Sequence, residues 1–390
     1  MKPIHLTRAR AAGSASIVFK LALTSLIMAL AVAPARVTQS PERPRSEDGY
    51  FQETIRVAPG VWTFAEPRFH VQPIGNVTLI EQADGLVLVD SGGSPGSARR
   101  LIAKIRRLSS KPVKAVIITH WHGDHTQGLA EILKAWPAAR TIATKATQAH
   151  LRDRKTMNTP AVFEPSADDA FYKQNQGFLA YTQTMVEKAP DPASKAGWSA
   201  ASRLFAQYAE DMRGAVTITT TEAFDDRLDI PDRRTPIEVR YLGRANTDGD
   251  AVVWLPKQRV LVVGDIVVAP VPFGFGSYPS EWMQTLETLR TYDFKVLVPG
   301  HGAPQQDGVY LARIAAAIGE VRSKIAPLVR QGVSLDDARK QLDFSNQAQG
   351  FVGADPWLRR WFKEYWIGPF LTSAYKEARG EPIVQSLTGE

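Results

Sequence analysis

The chain has 390 residues and no cysteine. That absence excludes disulfides, a thiolate nucleophile, thiolate metal ligands and a lipid-anchored cysteine, so stability must come from the core. Blocks of positive charge are missing as well, which argues against a nucleic-acid partner. Long apolar runs are scarce. The strongest, residues 21–32, is interrupted only by Thr24 and Ser25 and is short for a membrane span. It follows Lys2, Arg8, Arg10 and Lys20, with no acidic residue among them, and precedes Ala33-Pro34-Ala35. Basic start, apolar middle and small-residue end are the order of a secretory signal peptide, residues 1–35. Cleavage is expected after Ala35, since a cut after Ala33 would leave Pro34 just past it. An uncleaved anchor is the alternative. Removing the four leader charges takes the net charge from +7 to +3, so the basic character belongs largely to the leader. The mature chain is then expected in the periplasm or outside the cell, with no stable membrane insertion.

What is present is ordinary in bulk and unusual in one place. Apolar residues make up 44% and charged residues 22%, enough for a full core in one large domain with additions. Histidine is sparse, yet three of the seven fall within His120-Trp121-His122-Gly123-Asp124-His125. The string lies between an apolar run, residues 113–118, that reads as a buried strand and a helical pattern, residues 129–136. His120 and His122 are two apart, so an extended backbone points both to one side. Asp124 and His125 then arrive from beyond the bend. Imidazole and carboxylate at this density point to zinc chemistry. The plainer reading makes Asp124 a helix N-cap and the histidines loop residues.

Other segments recur in order around this string. Residues 86–92 read as a strand ending in Asp90, residues 262–265 as a strand ending in Asp265, and residues 298–302 as a strand ending in His301. Together these resemble the metallo-β-lactamase-fold hydrolase superfamily over roughly residues 57–305. The resemblance implies an α/β fold, a four-layer αββα sandwich. It implies His120 and His122 as ligands of a first metal, Asp124, His125 and His301 as ligands of a second, Asp265 as the bridging carboxylate, and Asp90 as a group that orients the cluster. It also implies zinc, one or two ions per chain, with iron or manganese as other divalent candidates. A metal-bound hydroxide would attack the carbonyl of an ester, lactone, thioester or β-lactam amide in a small-molecule substrate, with Asp124 orienting the water or taking its proton. One expected ligand is absent: Asn246 stands where the family's third first-site histidine would be. A carboxamide oxygen binds zinc less well than imidazole. The first site is therefore expected to be the weaker, with Asn246 a possible weak ligand and His70 and His150 the remaining histidine substitutes. A non-catalytic metal- or ligand-binding protein on a degraded site is the alternative function.

The organisation expected is a signal peptide at 1–35, a flexible tether at 36–54, the main domain at 55–305 with a helical insertion at about 145–213, and a helical C-terminal extension at 306–390. Insertions in this fold commonly cover the site, so a lid and a plain packing appendage both stay open. Strands are expected at 215–220, 221–230 and 237–242, and a hairpin at 251–255 and 259–263. Residues 270–278 carry Phe273, Phe275 and Tyr278 just after Asp265, either to contact an apolar part of a substrate or to seal the core. A helix over 356–378 places Trp357, Leu358, Trp361, Phe362 and Trp366 in a stripe suited to core packing or oligomer contact.

Overall fold

The computed structural model describes residues 53–66, 74–153 and 170–385. The leader and most of the tether, together with His70, lie outside the described residues.

The described residues open with four antiparallel-paired strands: β1 (Glu53–Ala58), β2 (Val61–Ala65), β3 (Val77–Glu81) and β4 (Leu86–Val89). Helix α1 (Pro95–Leu108) then crosses over to β5 (Val113–Ile117). Ser94 starts this helix by capping it reciprocally with Ser97, and Pro95 takes the first turn, where a missing N–H costs nothing. A short turn of helix, α2 (Gly123–Thr126), and α3 (Leu129–Ala135) lead to β6 (Arg140–Thr144). The first sheet runs in the order β1-β2-β3-β4-β5-β6-β7, with β7 (Glu222–Phe224) closing it and β4 to β7 mutually parallel.

Between β6 and β7 lie α4 (Lys145–Arg152), α5 (Ala170–Glu187) and α6 (Pro192–Asp211). The second sheet contains β8 (Arg227–Ile230), β9 (Ile237–Tyr241), β10 (Ala251–Leu255), β11 (Val260–Val262) and β12 (Val296–Val298), in the order β12-β11-β10-β9-β8. Helix α7 (Pro279–Leu289) joins β11 to β12, which are parallel. After β12 the chain is helical: α8 (Val309–Arg330), α9 (Leu335–Gln341), α10 (Ser345–Val352), α11 (Pro356–Trp361), a π-helical turn at Phe362–Ile367, and α12 (Gly368–Ala378).

Side-chain alternation builds the layers. Val87 and Val89 point inward to meet Val253, Leu255, Val260 and Val262 of the other sheet. Leu86 and Leu88, one residue out of phase, face Leu101, Ile105, Leu129 and Ile132 of α1 and α3. Leu261, Val263 and Leu297 face away from the sheet interface, toward Trp282, Leu286, Ile314 and Ile318 of α7 and α8. Three apolar seams thus separate four layers, αββα, with the helical C-terminal region packed outside the second sheet.

Two strand expectations change. Residues 215–220 form no strand. Their polar groups are met by side chains and carbonyls of neighbouring helices instead, with Gln148 Nε2 of α4 donating to the Thr220 carbonyl at 2.8 Å. Residues 221–230 are two strands, not one. The chain turns at Asp225-Asp226, where the Asp226 carbonyl accepts from Tyr241 N, so β7 completes the first sheet and β8 opens the second. The aromatic stripe is core. Trp357, Trp361, Phe362 and Trp366 are buried, the first two packing edge-on or tilted against Trp198 of α6. Among the described residues, no helix is long and apolar enough to cross a membrane.

Candidate metal centre

Every chemistry-bearing residue named from the sequence that belongs to the cluster sits where strands end at one rim of the two sheets. Asp90 follows β4, His120 to His125 follow β5, Asp265 lies in a 3-10 turn after β11, and His301 follows β12. Carboxyl ends of parallel strands are where α/β sheets place ligand sites. Asp90, His120, His122, Asp124, His125, Asp265 and His301 are all buried.

Two donor sets form, and Asp265 belongs to both. Asp124, His125, Asp265 and His301 make one, and His120, His122 and Asp265 the other. The two carboxylate oxygens divide the work. Asp265 Oδ1 lies 3.2 Å from His125 Nε2 and 3.5 Å from His301 Nε2. Asp265 Oδ2 lies 3.6 Å from His120 Nε2 and 4.0 Å from His122 Nδ1. Asp124 Oδ2 is 2.9 Å from His301 Nε2 and 3.3 Å from His125 Nε2. Yet neither oxygen of Asp124 or of Asp265 has a hydrogen-bond partner, although all four are buried. The carboxylates and imidazoles face common points rather than each other, which is what a bound cation requires.

Asp90 sets the orientation of the imidazoles. Its Oδ1 accepts from Thr119 N at 2.8 Å, and its Oδ2 accepts from Thr119 Oγ1 at 2.9 Å and from His125 Nδ1 at 2.8 Å. The Thr119 hydroxyl spends its proton on Asp90, so it accepts from His120 Nδ1 at 3.0 Å. Both rings therefore donate from Nδ1 and turn Nε2 inward, the nitrogen that would be free of hydrogen when a metal is bound. Asp90 itself has φ of 65°, a conformation tolerated by aspartate and held here by its N–H to the Ile117 carbonyl. Replacing Asp90 with Asn puts an NH2 against at least one donor. The expected result is a folded protein whose zinc affinity, read against a chelating dye, falls by roughly 10–100-fold. Unchanged affinity would remove Asp90 from this role.

Charge inside the cluster is balanced by proximity. Burial by itself would lower His125, but Asp124, Asp265 and Asp90 outweigh it and hold the imidazole well above its usual range in the metal-free chain. Burial would raise Asp124, but His125 and His301 hold it well below the usual carboxylate range. His122 goes the other way, lowered first by burial and then by His120. Asp250, buried behind the first set, is pushed up to about 7 by burial, against its bonds from Thr247 N at 2.7 Å and Thr247 Oγ1 at 2.9 Å.

Two residues outside the sequence motifs hold the site's walls. Gly75 passes so close to His125 that a Cβ would lie 2.3 Å from the ring carbon Cε1. Asn76 ties the first sheet's rim to the second: its N–H donates to the Gly300 carbonyl at 2.7 Å, and Nδ2 to the carbonyls of Pro299 at 2.9 Å and Gly302 at 2.8 Å. Nothing in their local sequence marks them, because Gly75 meets Asp124 and His125 and Asn76 reaches residues 299–302, all distant along the chain. Asn76→Ala leaves two buried carbonyls without their side-chain donor, at about 1–3 kcal/mol each. A loss of about 2–6 kcal/mol is expected from denaturant midpoints, and a loss under about 1 would show the clamp to be unimportant.

The remaining candidates divide. His150 lies outside both sets. It bonds Asp248 at 2.9 Å and packs against Trp121 with ring centres 5.3 Å apart, so it does not replace a ligand. Asn246 is buried, with Nδ2 donating to the Phe273 carbonyl at 2.7 Å. Phe273 sets its ring edge-on to His122 at 5.8 Å and stacks on Phe275. Tyr278 is buried beneath Arg244, which is 4.3 Å from its ring centre. Phe273 thus walls the centre and joins it to the core, while Tyr278 packs under Arg244 and Phe275 is partly exposed. The insertion also reaches the site. Burial, and then the charges of Asp124 and Asp211, push the Tyr208 phenol on α6 up, and Leu204 of the same helix packs on Ile74 beside Gly75.

The chain's resemblances agree with this geometry. A linear primary-alkylsulfatase of Pseudomonas sp. (strain ATCC 19151) is 24% identical over 296 residues, 73% of this chain and 52% of that protein. A metallo-beta-lactamase type 2 of Bacillus cereus is 24% identical over 242 residues, 60% of this chain and 70% of that protein. The chain thus spans about half the length of the alkylsulfatase. Among solved structures, the inverting sec-alkylsulfatase Pisa1 from Pseudomonas sp. shares the fold, with a TM-score of 0.58 at 17% identity, covering 84% of this chain and 50% of that one. The family model described as the metallo-beta-lactamase superfamily matches residues 71–301, more than half of the chain and the whole of the paired donor sets, and the chain belongs to that superfamily.

Proposed function

We propose that the protein is an exported, metal-dependent hydrolase of an ester-type bond, whether carboxylic ester, lactone, thioester or sulfate ester, or of a β-lactam amide. The observation that carries the reading is the division of Asp265, one oxygen toward each set of donors. A divalent cation in such a site supplies Lewis acidity and a water acidified toward neutral pH. Zinc suits the imidazole-rich donors best.

The chain's own residues supply the rest. Asp124 stays ionised with an unpartnered Oδ1, able to orient a water and accept its proton. Tyr208 stays protonated and so remains a donor for a substrate oxygen. Phe273 and Phe275 give the wall an apolar surface that favours a substrate with an apolar portion. Sulfate esters join the substrate classes because the alkylsulfatase relative covers more of this chain than the lactamases do.

The test is a zinc-loaded protein assayed on a nitrophenyl ester, a lactone, a thioester, an alkyl sulfate and a chromogenic β-lactam. Turnover of at least one, abolished by chelator and restored by zinc, is expected. Full metal loading with no turnover of any would make the chain a binding protein instead. Export rests on the charge and apolar order of residues 1–35, and N-terminal sequencing of the mature protein checks it: a start near Arg36 is expected, and an intact Met1 in the cytosol contradicts it.

A further inference from the structure

We propose that the carboxamide oxygen of Asn246 is a third protein donor of the His120–His122–Asp265 set, aimed there because the Phe273 carbonyl holds the other end of the amide. The inference rests on the reading that both sets hold metal. A carbonyl only accepts, so the atom 2.7 Å from Phe273 O must be the amide nitrogen, and the flip state of Asn246 is settled. Oδ1 then faces the other way. It is buried and has no hydrogen-bond partner. A buried carboxamide oxygen without a partner is an uncompensated cost. Among the described residues, the Asp124 and Asp265 oxygens share that condition and are donors of this centre, whereas the Gln82, Gln258 and Gln305 carboxamide oxygens share it outside both donor sets, so the placement of Asn246 decides.

The surroundings place Asn246 at the first set. Its loop runs from β9 to β10, and the first residue of β10, Ala251, donates its N–H to the carbonyl of Thr119, the residue before His120. Phe273, which grips the amide, sets its ring against His122. Tyr278 N closes the far side on the Ala245 carbonyl at 2.9 Å. The loop carrying Asn246 is therefore clamped between the strand end bearing His120 and the 270–278 segment. The first set then has two imidazoles, the shared carboxylate and a neutral oxygen. The second has two imidazoles and two carboxylates. Unequal affinity follows from the donors, since a neutral oxygen attracts zinc less than imidazole or carboxylate.

Zinc titration against a chelating dye, with metal content by mass spectrometry, tests this on the wild-type chain, Asn246→Ala and Asn246→His. The wild type is expected to bind two zinc ions with affinities differing by at least about tenfold. Asn246→Ala should keep the tighter ion unchanged and lose the weaker one. Occupancy of the Asp124–His125–His301 set serves as the internal check that the variant is folded. Asn246→His should bring the two affinities closer together, and with Co2+ in place of zinc it should shift the visible absorption of the weaker site. If Asn246→Ala binds two ions as the wild type does, or if both bind a single ion identically, the proposal is overturned while the Asp124–His125–His301 site stands. If none of the chains binds zinc at all, the hydrolase reading fails with it.

Discussion

Asp265→Ala should lose both metal ions and all hydrolytic activity while keeping its secondary structure. The two oxygens serve different sets, so one substitution removes the only carboxylate of the first set and one of two from the second. Changes to residues that merely support a ligand typically cost about 10–100-fold in metal affinity, and loss of a shared anionic ligand should exceed that at both sets. The fold should survive, because its three apolar seams lie away from the carboxylate. The Asn variant separates charge from shape. Its amide presents one oxygen and one NH2, so one set keeps a weak donor and the other meets a non-ligand. We expect Asp265→Asn to retain partial binding at one set only, read by calorimetric titration with zinc. Two ions bound by Asp265→Ala with unchanged affinity would show that the sets do not share this residue.

The parts of this centre that could be read in the sequence are those made locally. His120, His122, Asp124 and His125 fall within six residues, on the extended turn after β5 and the short helix α2, so their convergence follows from local backbone period and chain reversal alone. Asp265 and His301 carry little signal by themselves and are recognisable through the order of strands that precede them. Asn76, Gly75 and Tyr208 carry none, because what makes each matter is a neighbour brought in by the fold. The layers were legible through alternation, as in Leu86-Val87-Leu88-Val89, whose residues divide cleanly between two cores. The failures have physical causes too. Residues 215–220 have strand-like composition but no strand beside them, and tertiary context overrides propensity. Residues 221–230 carry no glycine or proline to mark the turn at Asp225-Asp226, so their division between two sheets is set by pairing with β6 and β9.

The sharpest packing test falls on Gly300. This glycine ends the segment after β12 and lies against the turn that carries Asp265. Its N–H donates to the carbonyls of Gly264 at 2.8 Å and Val267 at 3.0 Å, and its own carbonyl accepts from Asn76 N. A Cβ there would stand 1.9 Å from Asp265 Oδ1, 2.7 Å from Gly264 C and 2.9 Å from Asp265 N. Two of these three atoms are backbone held by hydrogen bonds on both sides, so they cannot yield cheaply. The carboxylate can yield, but only by swinging Oδ1 away from His125 and His301. Gly300→Ala should therefore both destabilise the fold, by about 1–3 kcal/mol or more from overpacking, and weaken the Asp124–His125–His301 site more than the other. Gly308 is the matched control, since nothing lies within 4 Å of a Cβ built there. Gly308→Ala should stay within about 0.5 kcal/mol of the wild type, with both zinc affinities unchanged. Thermal unfolding of the metal-free proteins separates the packing cost from the loss of bound zinc, which is titrated afterwards. If Gly300→Ala unfolds and binds zinc as Gly308→Ala does, the turn bearing Asp265 is not packed against residue 300, and the geometry that splits the carboxylate between two sites loses its mechanical support.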